Sequence, residues 1–263
     1  MINALMDSIR RLEVKREVHP KDTMYSAEFD WHYYSVGRSA ITAIATALSA
    51  RLNYPDGSAP IQTILDFGCG YGRVARFLRV AFPEARIVVN DYEKDGANFC
   101  AKEFGCESSD SPISRDTYDL IWLGSVITHL PEKFVAELLD ELTGSLRPNG
   151  VILFTSQGRY SLRNIERYLA LGDKRPEKAP YALNPQTLND LVAGYHQRGF
   201  GFVDYPRQSG YGIALITPDW LRGRVLSTGK MLQILWQEKG WDAHQDVSAF
   251  IRADLDDPRK SNF

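Results

Sequence analysis

From Ile61 to Gln157 short apolar runs of β type alternate with amphipathic helical runs, and no other feature narrows the fold of this chain so far. "IQTILDF", "ARIVVND", "YDLIWLGS" and "GVILFTSQ" read as strands. "RVARFLRVAF", "KDGANFCAKEFG" and "PEKFVAELLDELTGSL" read as helices. The first carries Val74, Phe77, Leu78 and Ala81 on one face, Gly105 closes the second as a C-cap, and Pro131 sits near the start of the third. Only "CESSDSPI" lacks β character, and its position alone makes it a strand. Such alternation predicts a parallel sheet with helices on both faces. Near the carboxyl end, "KMLQILWQ" and "HQDVSAFIRA" are joined by "EKGWDA". That connection is too short for a parallel pair, which needs a crossover of about a dozen residues. The expected fold class is therefore α/β: a doubly wound, mostly parallel seven-stranded sheet with an antiparallel last strand, N-terminal helices and an insertion after the fifth strand.

The divisions follow from where the alternation starts and stops. Residues 1–60 are expected to form an N-terminal, mostly helical segment, residues 61–158 a ligand-binding core, residues 159–216 an insertion, and residues 217–263 the last part of the core sheet. "MINALMDSIRRLEVKREVHPKD" reads as an amphipathic helix lying on the domain or on a partner subunit. "HYYSVGRSAITAIATALSARL" has Ile41, Ile44, Ala45, Leu48 and Leu52 at helical spacing. The insertion holds two helical stretches, "RYSLRNIERYLAL" and "NPQTLNDLVAGYHQRG", then "GFVDY" and "YGIALIT" as an antiparallel hairpin. Thr217 and Pro218 start a further helix as N-cap and first helical residue.

With 263 residues the chain can bury a core without disulfides or metals. Its net charge of −2 argues against a nucleic acid as main partner. The three cysteines, Cys69, Cys100 and Cys106, fit neither a zinc pattern nor a disulfide framework, so a reducing, cytoplasmic setting is expected and no metal. No apolar run is long enough for a signal peptide or a membrane span.

"ILDFGCGYGRVARFL" places Gly68, Gly70 and Gly72 at a strand-to-helix turn, where unpaired helix N–H groups face a ligand and glycine removes the side chain that would block close approach. The spacing is neither that of the dinucleotide fingerprint nor that of the phosphate loop. Asp66 precedes the triplet at the strand end, where a carboxylate repels a pyrophosphate but accepts a hydrogen bond from an amino group. Nineteen residues after Gly72, Asp91 ends the second strand, a position suited to gripping two ribose hydroxyls.

These features resemble motif I of the class I S-adenosylmethionine-dependent methyltransferases, with "VVND", "YDLIWLGSVITHLP" and "LRPNGVILFTSQG" at the later motifs in the family's order. The terminal antiparallel pair resembles that family too. The resemblance covers about residues 60–158 and 217–253. It implies S-adenosyl-L-methionine as cofactor. The 68–72 loop would hold its methionine part, with Asp66 near the amino group. Asp91 would bind the ribose, Tyr92 would flank the adenine, and Gly124 and Ser125 would line the sulfonium side. The adenine edge would fall near Ser108, Ser109 or Asp110. "RPNG" departs from the family's double glycine, and Asn149 tolerates the left-handed turn that this requires.

Ligands of such sheets lie beyond the carboxyl ends of the parallel strands. His129 follows the fourth strand on that side, and Trp241, His244, Gln245 and Asp246 come to the same rim. His129 and His244 are therefore the candidate bases for a hydroxyl acceptor. Trp31, His32, Tyr33 and Tyr34 precede the long N-terminal helix, where related enzymes close over the cofactor. Tyr160, Arg163, Arg167, Tyr181, Tyr195, His196, Tyr205, Arg207 and Tyr211 bring tyrosine and arginine to the insertion, which suits a polar acceptor. The expected function is methyl transfer to a small-molecule or glycan acceptor at a hydroxyl, and a homo-oligomer stays open. The alternatives are an inactive methyltransferase-like binding module and a nicotinamide-dependent oxidoreductase. The intact loop and both acids argue against the first. The glycine spacing and the terminal pair argue against the second.

Overall fold

The computed structural model describes residues 9, 11–54 and 57–253. Its strands are β1 (Thr63–Phe67), β2 (Arg86–Asn90), β3 (Glu107–Ser108), β4 (Tyr118–Leu123), β5 (Leu146–Ser156), β6 (Phe200–Tyr205), β7 (Gln208–Ile216), β8 (Met231–Trp241) and β9 (Gln245–Arg252). Its α-helices are α1 (Asp30–Arg51), α2 (Ala75–Ala81), α3 (Lys94–Phe104), α4 (Glu132–Ser145), α5 (Arg159–Ala170), α6 (Pro185–Arg198) and α7 (Pro218–Leu226). Seven strands make one sheet in the order β3-β2-β1-β4-β5-β9-β8, while β6 and β7 pair separately. Strands β1 to β5 are parallel to one another, and β9 runs antiparallel to both β5 and β8.

The parallel strands are apolar at successive positions because both faces of the sheet are covered. One face presents Ile64, Ile87, Val89, Leu120, Trp122 and Leu153 to α1, α2 and α3. The residues between them, Leu65, Val88, Ile121, Leu123, Ile152 and Phe154, meet α4, α7 and the hairpin. The insertion adds a small core of its own around Leu162, Ile165, Leu188, Leu191, Ile213 and Leu215. Local signals end the elements as expected. Gly105 caps α3 with φ 65°, Asn149 takes φ 61° in "RPNG", and Thr217 Oγ1 accepts the amide of Trp220 at the start of α7.

The N-terminal expectation needs correction. Residues 1–8 and 10 lie outside the described residues, and residues 11–22 run without helix. They are held as a strap by long-range contacts, which local periodicity does not report. Arg76 Nη1 donates to the Lys15 carbonyl, Lys21 pairs with Asp95 at 2.6 Å, and Tyr33 donates to Asp22 at 2.7 Å. In α1 the buried face runs through Tyr33, Val36, Ala40, Ile41, Ile44 and Ala47, and Leu52 is exposed. Leu52 follows the last residue of α1 and so escapes its stripe.

Candidate active site

The strand order reverses between β1 and β4, and a crevice opens there beyond the carboxyl ends of the strands. On its β1–β3 side lies a cavity of about 320 Å³ lined by Phe67, Asn90, Asp110, Ser111, Pro112 and Ile113. Of the three residues expected near this edge, Asp110 lines the cavity, while Ser108 and Ser109 do not.

The three glycines of the β1–α2 turn all adopt left-handed backbone, with φ 79°, 51° and 81°, but for different reasons. A side chain at Gly68 would strike Val126, and one at Gly72 would strike Phe104 and Cys100. Only Gly70 faces open space. Packing thus demands the outer two, and the middle one leaves room for a ligand. Gly96, at the start of α3, lets that helix approach the Gly70 carbonyl, a requirement that no sequence motif announces.

Both acids stand at this turn. Asp91 accepts the Gly70 amide on Oδ2 at 2.7 Å and the Glu93 amide on Oδ1 at 2.9 Å, so it braces the loop. Asp66 is buried, and its Oδ2 has no hydrogen-bond partner. Burial, and then the nearby charge of Asp91, push its pKa up to about 7. The Asp91 charge adds to the cost of ionising the buried Asp66 until a cationic or donor group joins them. Tyr92 is fully exposed beside them.

At the tip of β4, Gly124 lies against the Trp122 indole, and Ser125 holds φ 61°, a conformation that costs a non-glycine residue about 1–3 kcal/mol. The Ser125 amide donates to Thr155 Oγ1 at 2.8 Å, and its hydroxyl accepts from Gln245 Nε2 at 2.9 Å.

His129 ends the short 3-10 turn Ile127–His129. Its Nδ1 lies 2.8 Å from the Gly212 carbonyl in β7. A carbonyl only accepts, so Nδ1 carries the proton, and the neutral ring keeps its lone pair on Nε2. Burial lowers its pKa from the ordinary value, outweighing the Gly212 bond. Tyr211 stacks on the imidazole at 5.2 Å, and the Tyr205 hydroxyl stands 3.4 Å from Nδ1. The insertion therefore reaches the β4 rim through its hairpin. His244 lies in the β8–β9 turn, edge-on to Tyr160 at 5.8 Å, and burial lowers its pKa too.

A family profile described as a methyltransferase domain matches residues 31–203. The chain belongs to the class I S-adenosylmethionine-dependent methyltransferases. Human N-terminal Xaa-Pro-Lys N-methyltransferase 1 is 36% identical over 99 residues, covering 34% of this chain and 44% of that protein. Malonyl-[acyl-carrier protein] O-methyltransferase of Calditerrivibrio nitroreducens is 26% identical over 149 residues, covering 51% of this chain and 54% of that protein. The chain spans about half the length of the curated relatives it matches. An O-methyltransferase family protein from Burkholderia thailandensis shares the fold with a TM-score of 0.52 at 11% identity, covering 97% of this chain and 69% of that one.

S-adenosylmethionine is the methyl donor that this family implies, and the site fits it. Gly70 leaves an open cradle, the orphaned Asp66 oxygen asks for a donor, and the cavity beyond β1–β3 has a polar edge at Asn90 and Asp110. Two arginines of the same turn escaped the sequence reading. Arg73 lies over the Trp241 indole at 5.5 Å, and burial lowers its pKa. It makes no ion pair among the described residues. Arg76 is buried, donates to the Gly72 carbonyl at 2.9 Å, and ties the loop to the N-terminal strap. His19 of that strap stacks flat on Tyr71 at 4.6 Å. Tyr33 and Tyr34 are core residues, while Trp31 is exposed. The sequence signal was "GRVAR", whose two arginines one helical turn apart look like surface residues. Among the described residues no helix is long and apolar enough to cross a membrane.

Proposed function

We propose that the protein transfers the methyl group of S-adenosylmethionine to a hydroxyl of a small molecule or sugar, with His129 as proton acceptor. The donor supplies an electrophilic methyl on a positively charged sulfur. Asp66 and Arg73 would hold its amino acid part, Asp91 its ribose, Tyr92 and Asp110 its adenine, and Gly124 and Ser125 its sulfonium side. The acceptor oxygen forms its bond to carbon as the carbon–sulfur bond breaks, and its proton passes to Nε2 of His129. The observation that carries this reading is the Nδ1 bond to the Gly212 carbonyl, which leaves Nε2 free to accept. A neighbouring sulfonium would further disfavour the imidazolium and keep the base ready. His244 is the second candidate base. Residues 159–216 act as a cap over the acceptor, and the described part of the N-terminal segment, residues 11–54, closes the donor side.

A second reading, an amine acceptor at a protein N-terminus, is favoured by the similarity to the human N-methyltransferase. Methyl-labelled S-adenosylmethionine tests both when offered with a panel of hydroxylated small molecules and saccharides, and with peptides beginning Xaa-Pro-Lys. Label in the hydroxyl panel that is lost in His129→Ala supports the first reading. Label only in the peptides overturns it. Binding of S-adenosylhomocysteine without any transfer would leave a binding protein.

A further inference from the structure

A closed ring of hydrogen bonds joins three strand tips beside the proposed methyl position. The Ser125 amide donates to Thr155 Oγ1 at 2.8 Å, the Thr155 hydroxyl donates to Gln245 Oε1 at 2.5 Å, and Gln245 Nε2 donates back to Ser125 Oγ at 2.9 Å. The three bonds are mutually consistent. Thr155 has one proton, which it gives to Gln245, so its lone pairs remain for the Ser125 amide. Thr128 Oγ1, one residue before His129, stands 3.2 Å from the same serine oxygen. Thr155, Thr128 and Gln245 are all buried, so no solvent competes for these bonds.

The ring has a task that plain packing would not require. Ser125 holds φ 61°, where a serine does not rest unaided, and two of the three bonds end on that one residue. We infer that Gln245 and Thr155 are positioning residues: they lock the left-handed turn at Ser125 and set the β4 tip and the Thr128–His129 turn in one geometry. This inference rests on the proposed reading that Gly124 and Ser125 line the sulfonium side. Backbone dipoles held rigidly favour a charge that needs no reorganisation to meet them. A loosened tip therefore costs the charged sulfonium of S-adenosylmethionine more than the neutral thioether of S-adenosylhomocysteine. A residue that only supports the fold would weaken both ligands alike.

Calorimetric titration of both ligands into the parent, Gln245→Met and Thr155→Val tests this, with thermal melts in parallel. Ser125→Gly is the safeguard, because glycine accepts the positive φ and only the hydroxyl is lost. In each folded variant the affinity for S-adenosylmethionine should fall about tenfold, and that for S-adenosylhomocysteine by no more than about threefold. Equal losses for the two ligands, or parent-like affinity for S-adenosylmethionine, would overturn the inference while leaving the donor site intact. A parent protein that binds neither ligand would overturn the reading beneath it.

Discussion

Asp66 shows how a residue suited to a ligand weakens the protein without it. Its folded pKa, about 7, lies above the ordinary 3.8, so between those values the folded chain holds a proton that the unfolded chain has released. Stability of the unliganded protein therefore falls as pH rises from about 4 to about 7 and then levels off. Asp66→Asn should abolish that loss. Above pH 7 the variant is expected to be more stable than the parent by something on the order of a few kcal/mol, and to lose affinity for S-adenosylhomocysteine. Urea unfolding at pH 5 and pH 8 measures the first effect, and an unchanged stability difference between the two pH values would refute the assignment. At His129 burial lowers the pKa, so the neutral base persists below the ordinary imidazole range. Turnover should hold through the ordinary imidazole range and decline only at lower pH. His129→Ala should cost about 10²–10⁴-fold in rate while donor affinity stays within a few-fold. Pre-steady-state rates across pH, on whichever acceptor carries the label, measure both.

The β6–β7 hairpin belongs to the insertion, yet it supplies the carbonyl that orients the proposed base. Gly212 is fixed there by close approach, since a side chain would run into the Val203 backbone across the strand pair. Gly212→Ala must therefore push the strands apart. It should destabilise the protein by about 1–3 kcal/mol and free Nδ1, letting the imidazole return toward the Nε2-protonated form. Long-range proton–nitrogen spectra of the histidines report the tautomer directly. A His129 signal already Nε2-protonated in the parent would contradict the proposed role of this hairpin. The glycine turn after β1 works the other way: its outer residues answer to Val126 and Phe104, while its middle one faces open space, where the proposed donor would lie.

Across the molecule there are three hydrophobic clusters, two on the faces of the sheet and one in the insertion. The strap over Tyr71, the β3 edge and the hairpin all converge on the crevice beyond β1 and β4, so filling it should tighten elements far apart in the chain. S-adenosylhomocysteine at a hundred times its dissociation constant would add about 2.7 kcal/mol, or roughly 5–10 °C in melting temperature for a chain of this size. NAD at the same concentration should leave the melting temperature unchanged. A larger shift with NAD than with S-adenosylhomocysteine would overturn the donor assignment.

The sequence alone determined what short-range rules govern. Short, near-continuous apolar runs became β1, β2, β4 and β5, Thr217 and Gly105 capped their helices, and a connection too short for a crossover required the antiparallel pair β8–β9, although β8 runs on through "EKGW" and leaves only residues 242–244 as the turn. It also marked Asp66, Asp91 and the glycine turn, because strand tips and left-handed turns are local features. It misjudged residues 11–22 as helix, since their conformation is set by Arg76 and Asp95, which lie more than sixty positions away from their partners. Only the tertiary structure decided that Asp91 braces Gly70, that a carbonyl 83 residues distant holds His129, and that Thr155 and Gln245 close a ring on Ser125. Each of these is a hydrogen bond between strands or loops remote in sequence. No local propensity encodes such a bond; it exists only once the sheet order has brought both partners to one rim.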